Sequence, residues 1–381
     1  MRLGEILNVV QDDTSLRFRI GMIRGVISLI YKKTTTKDYM IKNIFNTPDV
    51  EKLQALIADG NTFVLTCHAG PDGDALGSTL GMAHYLTALG KEAIVIVPDA
   101  YPDFLAWMPG SQEIVRFDKH REKAELMIAM ADVIFAMDYN ALSRVDDMGA
   151  LIAKAKAKKV LVDHHLQPDS FCDLSFSYPQ LSSTCEVVFR LVVAMGGYDV
   201  LTKAACECIY AGMMTDTGCF SYGPCTQEVY LIISMLMQKE INKDRIYNKV
   251  FNNYSEGRLR LMGYVLYEKM RVFPEHHAAL ITLSREEMAR FDFNKGDTEG
   301  LVNIPLQMKG IYFSAFLRED TEKDGLIRVS LRSQGTFPCN KFAAQYFNGG
   351  GHLNASGGQH RGTLQEATTI FEEAIETFNK P

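Results

Sequence analysis

Four short, mainly apolar runs constrain this chain more than any other feature. FVLTC (63–67), EAIVIV (92–97), VIFAM (133–137) and VLV (160–162) are separated from one another by helical or loop segments. Runs that are apolar throughout, and not only at alternate positions, suit strands buried on both faces. Strands joined through helices form a parallel sheet with helices packed on both sides. The intervening pattern agrees: VEKLQALIADG reads as a helix closed by Gly60, and Leu76 to Leu89 as an amphipathic helix closed by Gly90. The expected class is therefore α/β, a parallel sheet with helices on both faces.

After residue 240 the rhythm changes. Residues 241–270, INKDRIYNKVFNNYSEGRLRLMGYVLYEKM, are charged and helical in pattern and read as a connector. AALITL, IYFSAFLRE and IRVSLRS then carry β patterns, followed by a helix (NKFAAQYF), a loop (NGGGHLNASGG) and a last helix opened by Thr363 and Glu366 as a capping box. This predicts a smaller α+β domain. The expected division is an extension over 1–39, a catalytic domain over 40–240, a helical connector over 241–271 and a substrate domain over 272–381. Two cores are natural for 381 residues. The extension is basic, with an apolar run from Val26 to Tyr31, and is expected to be mobile; a surface-lying amphipathic helix is the sharper alternative.

Bulk properties remove several function classes. A net charge of −6 argues against a protein that coats long nucleic acid, while leaving room for a small anion held by metals and a few arginines. Eight cysteines without a CxxC pair read as reduced thiols of a cytoplasmic protein, not as a disulfide scaffold. No apolar run approaches the roughly 20 residues that span a bilayer, so no stable membrane association is expected. There is no Walker loop and no G-x-S-x-G elbow to hold phosphate or support a covalent mechanism.

The chemistry sits where the apolar runs end. His68, Asp72 and Asp74 form a His-x3-Asp-x-Asp array after FVLTC; Asp138 ends VIFAM; Asp163, His164 and His165 follow VLV; Asp216 lies in the helical AGMMTDTG. A lone aspartate after a strand is usually a turn former or helix cap. Ligand sites in open α/β sheets form beyond the carboxyl ends of the strands, so one crevice can collect these groups. Two adjacent imidazoles beside a carboxylate are costly to bury unless something uses them. Aspartates with two histidines and no cysteine suit a binuclear site of Mn²⁺, or of Mg²⁺, with manganese favoured by the imidazoles. In IRVSLRS, Arg328 and Arg332 share one strand face and can grip phosphate, with a solvated face as the plain alternative. Gly349, Gly350 and Gly351 ahead of His352 offer backbone N–H groups to an anion.

HAGPDGDALGS, VIFAMD, VDHH and MMTDTG, in that order, resemble the four motifs of the DHH phosphoesterase family, and NGGGHLNASGG resembles its accessory DHHA1 domain. The resemblance runs from about Met40 to the C-terminus. GDTEGLVN and IRVSLRS look like the nano-RNase branch, whose members degrade very short oligoribonucleotides and often remove the 3′-phosphate of 3′-phosphoadenosine 5′-phosphate (pAp). The resemblance implies two divalent ions, one held by His68, Asp72 and Asp138, the other by Asp74, Asp138, His164 and Asp216, with Asp138 bridging. It implies that His165 faces the substrate and that Asp163 steadies a neighbouring ligand imidazole. Arg332, Ser333, Gly350, Gly351 and His352 become the expected substrate contacts. Ala69-Gly70 departs from the polar or bulky pair of many relatives, which touches local substrate contacts and leaves the ligands intact. The expected substrates are short RNA or pAp, not long duplexes. The alternatives are a phosphodiesterase for linear or cyclic dinucleotides such as pApA, and a non-catalytic nucleotide-binding relative. A homodimer is compatible with all three.

Overall fold

The computed structural model describes residues 41–221 and 224–378, so the reading of 1–39 lies outside the described residues. The first sheet holds β1 (Thr62–Thr66), β2 (Glu92–Val97), β3 (Val115–Arg116), β4 (Val133–Met137), β5 (Lys158–Asp163) and β6 (Leu174–Ser177), in the order β3-β2-β1-β4-β5-β6. All pairings are parallel, as the continuous apolar runs predict. β4 is buried at all five positions. One face packs on the helices Arg121–Met130 and Met148–Lys154 through a core that includes Val64, Ile134, Leu161, Ile128 and Ile152. The helices Gly73–Ala88, Thr184–Ala194 and Lys203–Asp216 pack together against the sheet, and nearly all of Gly73–Ala88 is buried.

Chain order reverses between β1 and β4, which pair in register from Phe63↔Val133 to Thr66↔Ala136. Loops leaving two such strands diverge to opposite faces and open a crevice at the carboxyl edge. His68 and Asp138 follow the two strands that flank this point.

The second sheet contains β7 (Met270–Phe273), β8 (Ala278–Leu283), β9 (Phe313–Glu319), β10 (Leu326–Ser333), β11 (Gly350–Gly351) and β12 (Ala355–Arg361), in the order β11-β12-β10-β9-β8-β7. Only β8 and β9 pair in parallel. One face is covered by the helices Cys339–Tyr346 and Leu364–Thr377, around Phe313, Phe342 and Phe371. The other is covered by Leu261, Val265, Met288, Leu301 and Val302. Thr363 and Glu366 form the expected capping box.

Three local expectations need correction. Part of NGGGHLNASGG is strand, because β11 and β12 pair at Gly350↔Gly357 and Gly351↔Ser356. Leu174–Ser177 and Met270–Phe273 are strands that the sequence pattern did not single out. In β10 the alternation holds: Ile327, Val329 and Leu331 are buried while Arg328, Ser330 and Arg332 are half-buried. Both sheets lie in the compact unit that begins at Phe45. Among the described residues no helix is long and apolar enough to cross a membrane.

Candidate active site

Asp72 caps the helix Gly73–Ala88, accepting from the amides of Asp74 and Ala75 at 3.0 Å. The cap keeps Asp72 and Asp74 on one side of the turn, next to His68. Asp138 stands one residue beyond β4 with φ of 61°, an unusual conformation for a non-glycine residue, and its amide donates to the carbonyl of Val162. That bend turns the carboxylate across the crevice. His164 and His165 follow β5, and Asp216 is the last residue of the helix Lys203–Asp216.

The six expected ligands meet in two clusters. His68 Nε2 lies 3.7 Å from Asp72 Oδ2 and 3.4 Å from Asp138 Oδ2. His164 Nε2 lies 3.8 Å from Asp74 Oδ2, 3.7 Å from Asp138 Oδ1 and 3.5 Å from Asp216 Oδ2. The two oxygens of Asp138 thus face different clusters, as a bridging carboxylate requires. His68 Nδ1 contacts the carbonyl of Ala69 at 3.0 Å, and His164 Nδ1 that of Leu181 at 3.4 Å. A carbonyl only accepts, so Nδ1 carries a proton and Nε2 is the ring atom that faces the carboxylates. His68, Asp72 and Asp138, and likewise Asp74, His164 and Asp216, each offer ligand atoms within 4.8 Å of one another.

The electrostatics fit cations. Burial pushes the Asp74 carboxyl well above its usual range, with Asp138 and Asp216 adding to the shift. Burial also raises Asp216, to about 7, against the pull of His164. Burial disfavours the charged form of both imidazoles, yet the carboxylates prevail: Asp138 and Asp72 hold His68 at about 10, and Asp216, Asp138 and Asp74 hold His164 at about 9. Burial works against ionised Asp138 too, but its histidine neighbours hold it below the usual carboxylate range. Divalent ions can take the place of the protons on the inward-facing Nε2 atoms and balance the concentrated carboxylate charge.

Several supporting groups were not foreseen from sequence. Thr184 Oγ1 donates to Asp138 Oδ1 at 2.8 Å, and the amides of Thr184 and Cys185 donate to the two oxygens of Asp74 at 2.6 and 2.9 Å. The start of the helix Thr184–Ala194, where backbone N–H groups have no helical partner, therefore holds Asp74 and Asp138 at once. Asp99 accepts from the amide of Gly70 at 2.6 Å and pairs with Lys295 at 2.6 Å, linking the His68–Asp72 loop to the second sheet's side of the molecule. Gly70 has φ of 66°, a reason for glycine at the position where this chain departs from many relatives.

Asp163 accepts from His165 Nδ1 at 2.7 Å and from its amide at 3.1 Å, so it steadies His165 and not a metal-facing ring. His352 arrives from the second sheet and packs its ring 5.0 Å from that of His165 and 4.9 Å from that of His164. Burial and the two neighbouring imidazoles lower His352 to about 3. A cleft of about 780 Å³ runs between the sheets, lined by Asp72, His164 and Asp216 on one side and by Arg332, Ser333 and His352 on the other. The Ser333 hydroxyl is occupied within its own loop, donating to the carbonyl of Phe337 and accepting from Asn354. Gly350 and Gly351 pair with β12 and are not among the residues lining this cleft; His165 stacks on His352 and has its ring nitrogen within 4.8 Å of those of His164 and His352, which do line it. Arg328 is bound to Asp320 at 2.6 Å.

Comparison with known proteins agrees with this geometry. Residues 62–213 match the DHH family, N-terminal domain, and residues 277–380 match the DHHA1 domain. A crystal structure of an exopolyphosphatase-related protein from Bacteroides fragilis superposes with a TM-score of 0.84 at 50% identity, covering 89% of this chain and 98% of that one. A probable bifunctional oligoribonuclease and PAP phosphatase NrnA from Streptococcus mutans is 28% identical over 313 residues, 82% of this chain and 94% of that protein. The bifunctional oligoribonuclease and PAP phosphatase NrnA of Bacillus subtilis is 27% identical over 299 residues, 78% of this chain and 88% of that protein. With both domains matched and a relative sharing half its residues over nearly its full length, the chain belongs to the DHH/DHHA1 phosphoesterase family.

Proposed function

We propose that the protein hydrolyses very short oligoribonucleotides to mononucleotides and removes the 3′-phosphate of pAp. The observation that carries this reading is the cleft, with Asp72, His164 and Asp216, drawn from both clusters, on one wall and Arg332 on the other. Its volume lies within the roughly 300–1,000 Å³ of small-ligand sites. The similar proteins named oligoribonuclease and PAP phosphatase support the same substrates.

His68, Asp72 and Asp138 would hold one ion, and Asp74, Asp138, His164 and Asp216 the other. Manganese is preferred to magnesium, because each cluster carries an imidazole. Such a pair supplies Lewis acidity toward a phosphate oxygen and a reactive water for in-line attack. The chain does the rest. Arg332 holds a substrate phosphate. Asp163 fixes His165 with its proton on Nδ1, leaving Nε2 to take or give a proton. His352, kept neutral, closes the cleft over both histidines without adding a charge. Eight free cysteines fit a reducing compartment, and we place the enzyme in the cytoplasm.

The test is turnover by chelator-stripped protein, with and without Mn²⁺, of pAp, an RNA dinucleotide, pApA and an RNA 20-mer. We expect manganese-dependent hydrolysis of pAp and the dinucleotide, and at least about tenfold slower hydrolysis of the 20-mer, equivalent to roughly 1.4 kcal/mol. Equal rates on the 20-mer overturn the reading. Activity on pApA without activity on pAp or on other RNA dinucleotides moves it to the cyclic-dinucleotide alternative.

A further inference from the structure

Glu299 is the one carboxylate lining the cleft that belongs to neither ligand cluster. It precedes Gly300, whose φ of 83° turns the chain into the short helical segment Leu301–Gln307. Its backbone is held firmly: its amide donates to the carbonyl of Gly296, and its carbonyl accepts from Arg258 Nη2 at 3.0 Å. Arg258 is itself buried, its guanidinium 3.7 Å from the ring centre of Tyr254 and 5.6 Å from that of Phe104. The Glu299 side chain, by contrast, is exposed to the cleft and makes no hydrogen bond or ion pair among the described residues. Enclosure in the cleft and nearby Asp72 raise its carboxyl to about 7, while Arg258 and Arg332 act in the opposite sense.

A fixed carboxylate opposes the phosphates this cleft is read to admit, so its complement is a neutral donor on the substrate. The walls beside it are suited to a nucleoside: Phe104, Tyr254, Val302 and Leu306 line the same cleft. Resting on the function proposed above, we propose that Glu299 is a specificity residue that accepts a hydrogen bond from the nucleoside, away from the bond that is broken. The donor is a ribose hydroxyl or an exocyclic base amine. Both present N–H or O–H groups to a carboxylate, which can only accept when ionised. A 2′-hydroxyl in this role gives the protein a means to prefer RNA to DNA.

The experiment uses the full chain with Mn²⁺ and compares wild type, Glu299→Ala and Glu299→Gln. Substrates are 5′-phosphorylated adenine dinucleotides with ribose, the same with 2′-deoxyribose, and a ribose dinucleotide whose purines lack the 6-amino group. The readout is the ratio of kcat/KM between substrates within one variant, so a general loss of activity cancels. A hydrogen bond to a charged acceptor predicts a wild-type preference on the order of 10- to 100-fold that collapses toward unity in Glu299→Ala. Glu299→Gln, which keeps one acceptor oxygen, should retain part of it. Collapse of the ribose-to-deoxyribose ratio identifies the hydroxyl as donor; collapse of the ratio for the 6-amino group identifies the amine. Unchanged ratios in an Ala variant that still cleaves dinucleotides overturn the inference alone. If wild type cleaves none of the dinucleotides, the proposed function fails and this inference fails with it.

Discussion

The hydroxyl of Thr184 donates to the Asp138 oxygen that also faces His164, while its amide holds Asp74. Thr184→Val removes the hydroxyl and keeps the side chain's shape and the amide. Loss of a partner that orients a metal ligand typically costs about 10–100-fold in affinity. Manganese titration by calorimetry should therefore show weakening of about tenfold or more in Thr184→Val and recovery in Thr184→Ser; equal affinities in all three proteins would deny Thr184 this role. The clustered aspartates and histidines were legible, since each lies shortly after an apolar strand or ends a helix in a pattern that a core does not need. Thr184 was not, because in SSTCE it reads as part of a helix start, and Ser183 is indeed the cap. Asp163 was legible as a supporting carboxylate, but the choice between the two following imidazoles depends on how the chain turns after β5, and it goes to His165.

Asp74 and Asp216 ride on two helices whose separation is set by glycine. A Cβ on Gly77 would lie 2.6 Å from the carbonyl oxygen of Cys208 and 2.9 Å from Cys185 Sγ, and the former is backbone that cannot swing aside. Gly77→Ala should thus push the helices Gly73–Ala88 and Lys203–Asp216 apart. Overpacking of this kind costs about 1–3 kcal/mol, which thermal unfolding of the metal-free protein would register. Manganese affinity should fall as well, because the second cluster takes ligands from both helices; a lower Tm with unchanged affinity would detach helix spacing from the site. The pattern from Leu76 shows the helix, but the amphipathic reading is corrected, because the helix is buried on nearly every side, and the pattern does not show which residue meets a neighbouring backbone. NGGGHLNASGG reads as a loop for a related reason. Glycine carries no strand preference, and β11 and β12 owe their extended form to pairing with each other and with β10.

Closing the cleft brings charges from both sheets into one field, and two outcomes follow. Arg332 lines the cleft from the second sheet and makes its own hydrogen bond only to the carbonyl of Leu331. Arg332→Ala should lower kcat/KM for pAp and dinucleotides by roughly 30- to 1000-fold, corresponding to about 2–4 kcal/mol for a desolvated phosphate contact. An aryl phosphate ester, too short to reach it, should lose much less, and equal losses would assign Arg332 to the fold or metal site instead. The second outcome concerns pH. Asp216 at about 7, His164 at about 9 and His68 at about 10 all bind protons more tightly folded than unfolded. Their contribution is full below the unfolded values, near 4 for the aspartate and 6.5 for the histidines, and is lost as pH rises through the folded ones. Lowered His352 acts oppositely between about pH 3 and pH 6.5, where it offsets Asp216, and lowered Asp138 matters only in acid. Metal-free protein should therefore lose Tm chiefly between about pH 6.5 and pH 10, while the Tm gained on adding Mn²⁺ grows over the same range as ligands lose their protons. A manganese effect independent of pH would contradict the ligand assignment.

Strand identity, helix identity and the kinds of ligand are written locally, in runs of five to ten residues whose burial pattern and chemistry need no distant partner to be recognised. They sufficed for a parallel sheet, a second α+β domain and six acidic and imidazole side chains that the structure gathers in one place. The rest depends on contacts between segments far apart in the chain. The order of strands sets His68 and Asp138 on either side of the reversal point. The turn at Asp138 presents one oxygen to each cluster. The approach of the second sheet stacks His352 on His165 and leaves Glu299 free in the cleft. Such features are set by which packing of many weak contacts wins over the folded chain, and no local pattern encodes that sum.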